Sequence, residues 1–200
     1  MATANKSGNL YLKLVPIMLS FFAMSFVDLV GTGTNFIKKD FGLSDTMAGL
    51  FPLMVFLWFL IFSVPTGLLM NRIGRRKTVL ISLVVTALAL LLPVLTIPMP
   101  HNTASFTIML VSFCLLGIGN AIMQVSLNPL LSNIVHGDRL ASALTLGQFV
   151  KAIGSFVAPI IAGWAALEFG NWKLLYPIFT GISILAVLSL GVTKIDRKST

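Results

Sequence analysis

Six apolar stretches of membrane-spanning length follow one another along the chain, separated by short polar gaps. They cover residues 14–37, 48–70, 78–97, 106–131, 140–167 and 174–192. At 1.5 Å per residue the first makes about 36 Å of helix, enough to cross a hydrocarbon core roughly 30 Å thick with some tilt. Pro98, Pro100 and His101-Asn102 mark a turn between the third and fourth stretches. Pro65, Pro93 and Pro159 fall inside stretches, where neighbouring groups satisfy the freed carbonyls, so the helices are predicted to run through them. The first stretch is too long for a signal-peptide core and contains an acid, which makes it a retained helix. Gaps this short make neighbours in sequence antiparallel neighbours in space. The pattern predicts an all-α membrane protein of six transmembrane helices.

Composition agrees and closes other routes. Of 200 residues, 56% are hydrophobic and 10% charged, far from the roughly 25% charged of a soluble domain. The net charge of +8 is a topology signal rather than a mark of nucleic-acid binding, because the basic residues sit in the gaps. With the N-terminus inside, the inner segments hold Lys6, Lys13, Arg72, Arg75, Arg76, Lys77, Arg139, Lys194, Arg197 and Lys198, and the outer loops only Lys38, Lys39 and Lys173. That bias predicts both termini in the cytoplasm. Cys114 is the only cysteine, so no intrachain disulfide forms. His101 and His136 lie in separate loops without further ligands, so no metal site is expected. No phosphate-binding loop and no hydrolytic triad is present, so neither an enzyme nor a cofactor is expected.

Three stretches carry polar groups where polarity is expensive. Asp28 lies slightly past the middle of span one, where a carboxylate costs roughly 2.5–3.5 kcal/mol and must face protein or water. Thr32 and Asn35 follow on about the same helical face. Span four carries Asn120, Gln124 and Asn128 at i, i+4 and i+8, and span five carries Gln148, Lys151 and Ser155 at i, i+3 and i+7. Lys151 stands about 18 Å along its helix from Arg139, too far to reach the near interface. Such groups either fasten helices together at about 0.6–2 kcal/mol each or line a water-filled cavity for a polar solute. Asp28 and Lys151 favour the cavity, since an ion pair is a costly fastening. The two are expected to share that cavity and interact.

Gly117, Gly119, Gly147, Gly154 and Gly163 read as close-packing positions between helices. Most of the phenylalanines from Phe21 to Phe62 read as packing or lipid-facing groups. Trp58 is mid-span and is a candidate to stack on a substrate ring. Trp164 and Trp172 bracket the outer end of span five and read as interfacial anchors.

The gap after span two reads Gly67-Leu68-Leu69-Met70-Asn71-Arg72-Ile73-Gly74-Arg75-Arg76-Lys77. It resembles the cytoplasmic signature of the major facilitator superfamily, with Asn71 where the family usually has Asp. Within that superfamily the chain is similar to the fucose–galactose–glucose–proton symporter branch. The residues carrying this are Phe26-Val27-Asp28 with Asn35, Gln124-Val125-Ser126-Leu127-Asn128-Pro129, and Gly147-Gln148 followed by Gly154. Gln124 replaces the branch's span-four Glu and Lys151 an Asn of span five, removing one buried negative charge and adding one positive.

The resemblance implies an N-terminal six-helix bundle over residues 1–200, half of a transporter in a bacterial cytoplasmic (inner) membrane. Its partner is a second six-helix half, either a further part of the same protein or a second chain. The implied function is secondary active transport of a sugar or similar polar solute, proton-coupled through Asp28. The expected substrate contacts are Asp28, Asn120, Gln124, Gln148 and Lys151, with Asn35, Trp58 and Asn128 as further candidates. Gly67, Asn71, Arg72, Gly74, Arg75 and Arg76 would form a gating loop. Substrate, protons and membrane lipids are the other implied partners, and no nucleic acid is expected. Exchange or uniport of an acidic sugar or organic anion held by Lys151 is the alternative mechanism, favoured by a partial antiporter-like Gly154, Pro159, Gly163 pattern. A non-transporting membrane scaffold is the alternative of another class.

Overall fold

A computed structural model of the chain describes residues 2–193 and 195; the basic tail residues Lys194, Arg197 and Lys198 lie outside the described residues. All regular structure among these residues is helical. The helices are α1 (Ala2–Met24), α2 (Val30–Phe41), α3 (Asp45–Ala48), α4 (Leu50–Ile73), α5 (Arg75–Leu95), α6 (Thr103–Ser132), α7 (Arg139–Phe169) and α8 (Leu175–Val192). Six spans are long and apolar enough to cross a membrane: Leu12–Phe41, Asp45–Ile73, Arg75–Leu95, Thr103–Ser132, Arg139–Phe169 and Trp172–Val192. Each extends one of the expected stretches or shifts its ends by a few residues. Pro65, Pro93 and Pro159 are inside helices, as are Pro16 and Pro129.

The ends follow local chemistry. The Ser44 hydroxyl accepts from the Met47 amide at the start of α3. Asn102 and Ser105 form a reciprocal capping box at the start of α6, satisfying two otherwise orphaned donors. Gly74 separates α4 from α5 at φ 88°, ψ 156°, a backbone conformation essentially confined to glycine. That one residue lets the basic run Arg75-Arg76-Lys77 open the next helix at once.

The first span departs from the continuous helix that its hydropathy predicts. Between α1 and α2, Ser25–Leu29 forms a 3-10 segment containing Asp28. A mid-helix 3-10 stretch is a recognised hinge geometry, and it stacks residues i and i+3 on one face. Ser25 and Asp28 therefore point the same way.

The buried residues form two apolar clusters. One holds Phe26, Val30, Phe51, Val55, Ala89, Phe113, Leu116, Ala158, Tyr176 and Phe179; the other holds Ile17, Phe21, Val79, Leu83, Met123, Leu127, Ala186 and Leu190. Between them, helix by helix, fall buried polar or small residues: Ser25, Thr86 on α5, Gly119 and Asn120 on α6, Gly154 on α7, and Thr180 and Ser183 on α8. The bundle thus has a polar waist near its middle, and Lys151 and Ser155 lie at that level of α7. Asn120 Oδ1, Thr180 Oγ1 and Ser183 Oγ are buried there without a hydrogen-bond partner.

The close-packing glycines divide sharply. A Cβ on Gly117 would lie 2.9 Å from both the C and the Cα of Val55 on α4. One on Gly119 would meet Thr86 of α5, one on Gly147 the Phe21 ring, and one on Gly154 would come within 2.8 Å of Ser25 Cβ. Gly163 faces open space, so it is not a close-packing position in this bundle. Trp172 also departs from expectation. Instead of an exposed anchor it is 3% exposed, stacked on Phe36 at 5.2 Å, and its Nε1–H donates to Asp40 Oδ2 at 2.8 Å. Trp164, the other expected anchor, is exposed.

Candidate functional site

The 3-10 segment lies against α7. Because Gly154 has no side chain, Ser25 packs directly on the α7 backbone. One 3-10 turn later, Asp28 then stands over the neighbouring residues of α7. Its Oδ2 lies 3.3 Å from Lys151 Nζ and accepts a hydrogen bond from Ser155 Oγ at 2.6 Å. Asp28 and Lys151 interact directly, as expected. The pair is neither sealed nor free: the carboxylate side chain is 40% exposed and the lysine side chain 19%. Gly154 is a close-packing position, as expected, and it admits the segment that carries Asp28 against α7.

Asn35 on α2, Gln124 and Asn128 on α6, and Gln148 on α7 are all exposed. Asn120 is not: it is 8% exposed and its Oδ1 has no partner. It belongs to the polar waist and does not share the open face of Gln124 and Asn128. The reason is geometric, since each i+4 step on an α-helix turns the side chain by about 40°. Trp58 is half-buried, with its ring 5.9 Å from that of Phe62.

The second and fifth spans are the least covered of the six. The apolar windows of the second and fifth spans are 17% and 22% buried, against 61% and 56% for the first and fourth. Phe56, Leu60, Val64 and Leu68 on α4, and Phe149, Phe156 and Ile160 on α7, are exposed. No cluster of side chains able to hold a metal ion occurs among the described residues.

The glycine-hinged basic loop has defined partners at one end of the bundle. Arg75 donates to the Pro129 carbonyl at 3.2 Å and to the Asn133 side chain, where α6 ends. Arg76 donates to the carbonyls of Leu190 at 3.0 Å and Gly191 at 2.6 Å, at the last turn of α8. Cations at helix C-termini satisfy orphaned carbonyls and complement the helix dipole. Asn71 and Arg72 are exposed, and a Cβ added at Gly67 would meet nothing within 4 Å. Arg76→Ala is expected to lower stability in thermal unfolding by about 2 kcal/mol, while Lys77→Ala, an exposed residue of the same run, leaves it unchanged. Equal melting of the two variants would mean that these contacts contribute nothing.

The family model described as Major Facilitator Superfamily matches residues 17–199. A glucose/galactose transporter of Brucella abortus is 29% identical over 126 residues, 62% of this chain and 29% of that protein. The lysosomal dipeptide transporter MFSD1 of Bos taurus is 25% identical over 187 residues, 92% of this chain and 38% of that protein. Among solved structures, the proton:xylose symporter XylE superimposes with TM-score 0.81 at 12% identity, covering 96% of this chain and 46% of that one. A proton-dependent oligopeptide transporter superimposes with TM-score 0.72 at 17% identity, covering 96% and 42%. The chain spans less than half the length of each of these proteins.

Proposed function

Because the chain belongs to the Major Facilitator Superfamily, whose members are multi-pass membrane carriers and not enzymes, we propose that it forms the N-terminal six-helix half of a secondary active transporter. Its solute is a sugar or a similarly polar small molecule, and transport is coupled to protons through Asp28. The observation that carries this reading is the half-open Asp28–Lys151–Ser155 constellation joining the first and fifth spans. A charged pair left open to solvent at mid-span is an expensive arrangement that a solute pathway explains and a packing contact does not. Gln124 and Gln148, exposed on neighbouring spans, supply directional donors and acceptors for hydroxyl groups. Asn35 and Asn128 extend the same polar character. Asn120, set behind them, acts on the site through the helix packing.

The exposed apolar faces of α4 and α7 are where a second six-helix half docks, whether a further part of the same protein or a second copy. Family halves are related by an axis along the membrane normal. The basic loop from Gly67 to Arg76 then faces the cytoplasm with both chain ends and works as the gate on that side. The Brucella relative supports a bacterial inner-membrane location.

A second solute class is favoured by one specific feature. Asp28 and Lys151 present opposite charges together, and a relative aligned over 92% of the chain is a dipeptide transporter. A zwitterion meets both charges, its ammonium at Asp28 and its carboxylate at Lys151. An anionic solute is less well matched, since Lys151 already faces a carboxylate.

Proteoliposomes containing the chain and a complementary half decide between these. Uptake of labelled hexoses and of labelled dipeptides is measured with and without an imposed proton gradient. For the sugar reading, Gln124→Ala and Gln148→Ala each weaken hexose affinity by about 1–3 kcal/mol. Asp28→Asn abolishes gradient-driven accumulation while leaving exchange. Parent-like affinity in both glutamine variants, with folding intact, would place the site elsewhere.

A further inference from the structure

Ser112 and Ser82 reach a carbonyl and a thioether on a neighbouring span, whereas Ser155 reaches a carboxylate. Ser20, Ser63, Thr66 and Ser126 each donate to the carbonyl four residues earlier in their own helix. This is the usual resting bond of a helical hydroxyl. Ser155 has the same acceptor within reach, the Lys151 carbonyl at 3.0 Å, yet its Oγ lies closer to Asp28 Oδ2 on another span, at 2.6 Å. A hydroxyl has a single hydrogen, so the two acceptors compete for it.

From this competition we infer that Ser155 is a positioning residue that follows the protonation state of Asp28, donating to the carboxylate and turning back to the Lys151 carbonyl when Asp28 carries a proton. With Asp28 ionised, the Ser155 hydrogen goes to Oδ2 as a charge-assisted bond, beside the Lys151 ammonium. When the carboxylate takes up one proton from water, the neutral acid becomes a donor. Ser155 Oγ then accepts from it, and the hydroxyl hydrogen rotates onto the Lys151 carbonyl. No covalent bond of Ser155 breaks, and the only proton exchanged is the one Asp28 gains. The Lys151 ammonium loses its anionic partner in the same step and is released toward solute. Substrate access to Lys151 is thereby linked to proton uptake through a hydroxyl that stays bonded in both states.

The surroundings leave few competing charges. The 3-10 segment packs against α1, α2, α6 and α7, and its Phe26 ring meets Phe179 and the buried, uncharged phenol Tyr176 of α8. On α7 the facing charge is Lys151, with Arg139 and Glu168 at the ends of that helix. The described part of α6 has no charged residue; Lys38, Lys39 and Asp40 are at the far end of α2, and Lys13 is about 22 Å along α1.

The inference rests on Asp28 being the protonatable group, and one experiment separates the two claims. The 200-residue chain in lipid nanodiscs is titrated by pH-difference infrared spectroscopy, with the protonated-carboxyl band assigned by its loss in Asp28→Asn. Removing a donor to the ionised form makes protonation easier, so Ser155→Ala should move the band midpoint about one pH unit higher. Ser155→Thr, which keeps the hydroxyl and guards against misfolding of the alanine variant, should titrate like the parent. A parent band that titrates with the same midpoint in Ser155→Ala overturns the role of Ser155 alone. A parent chain with no band sensitive to Asp28→Asn overturns the assignment of Asp28, and this inference with it.

Discussion

Gly117→Ala should destabilise the bundle by about 3 kcal/mol, while Gly163→Ala should change it by less than about 1 kcal/mol. Both glycines lie in apolar spans and carry the same small-residue signal. Their surroundings differ completely. The added methyl at 117 meets the backbone of Val55, at 2.9 Å from its C and Cα, whereas the one at 163 meets nothing within 4 Å. A backbone obstacle cannot rotate aside, so α4 and α6 must separate and lose contacts along their shared length. Gly147→Ala should fall between, because the obstacle there is the edge of the Phe21 ring, which has other rotamers. Thermal or detergent-induced unfolding of the three variants gives the ranking. Equal stability of Gly117→Ala and Gly163→Ala would mean that α4 and α6 do not approach as described.

Removing either member of the Asp28–Lys151 pair should cost more than removing both. Asp28→Asn leaves the ammonium without a counter-charge, and Lys151→Met leaves the carboxylate supported by Ser155 alone. For fully buried pairs such breakage costs about 3–5 kcal/mol. Here the side chains are 40% and 19% exposed, so about 2 kcal/mol for each single variant is the expected loss. The double variant should lose only about 1 kcal/mol, giving a coupling energy of about 3 kcal/mol in a double-mutant cycle. Unfolding of the four proteins in nanodiscs measures it. Additive losses, with no coupling, would mean that the two charges act on the bundle independently. Transport separates structure from function here: a stable double variant that accumulates no solute would show that the charges serve the carrier cycle rather than the fold.

Much of this architecture is legible along the chain because membrane insertion is close to a local, additive property. Some twenty apolar residues in a row form a spanning helix almost regardless of neighbours, since a backbone in hydrocarbon has to satisfy its own hydrogen bonds. The six spans were therefore readable to within a few residues. So were the unusual groups: Asp28 and Lys151 stand out because the cost of a mid-span charge does not depend on which helix lies alongside. The glycine-arginine run after span two was readable as a motif, though its helix-end partners at Pro129 and Leu190 were not.

What only the tertiary structure decided is where each of these groups points and what it meets. Asn120, Gln124 and Asn128 share a spacing, yet one is buried and two are open. A drift of about 40° per step is enough to carry a residue from an exposed face into the bundle. Five glycines carried one signal, and contact with Val55, Thr86, Phe21 and Ser25 separates four of them from Gly163. Trp172 was readable as an amphipathic ring but not as the partner of Asp40, 132 residues away. The 3-10 turn at Ser25–Leu29 has no mark in the hydropathy. It coincides with the packing of Ser25 on Gly154, and that packing aims Asp28 at Lys151 and Ser155. Burial costs are charged residue by residue and can be read from sequence, whereas direction and contact depend on two surfaces meeting, and only one of them is present in any local stretch of chain.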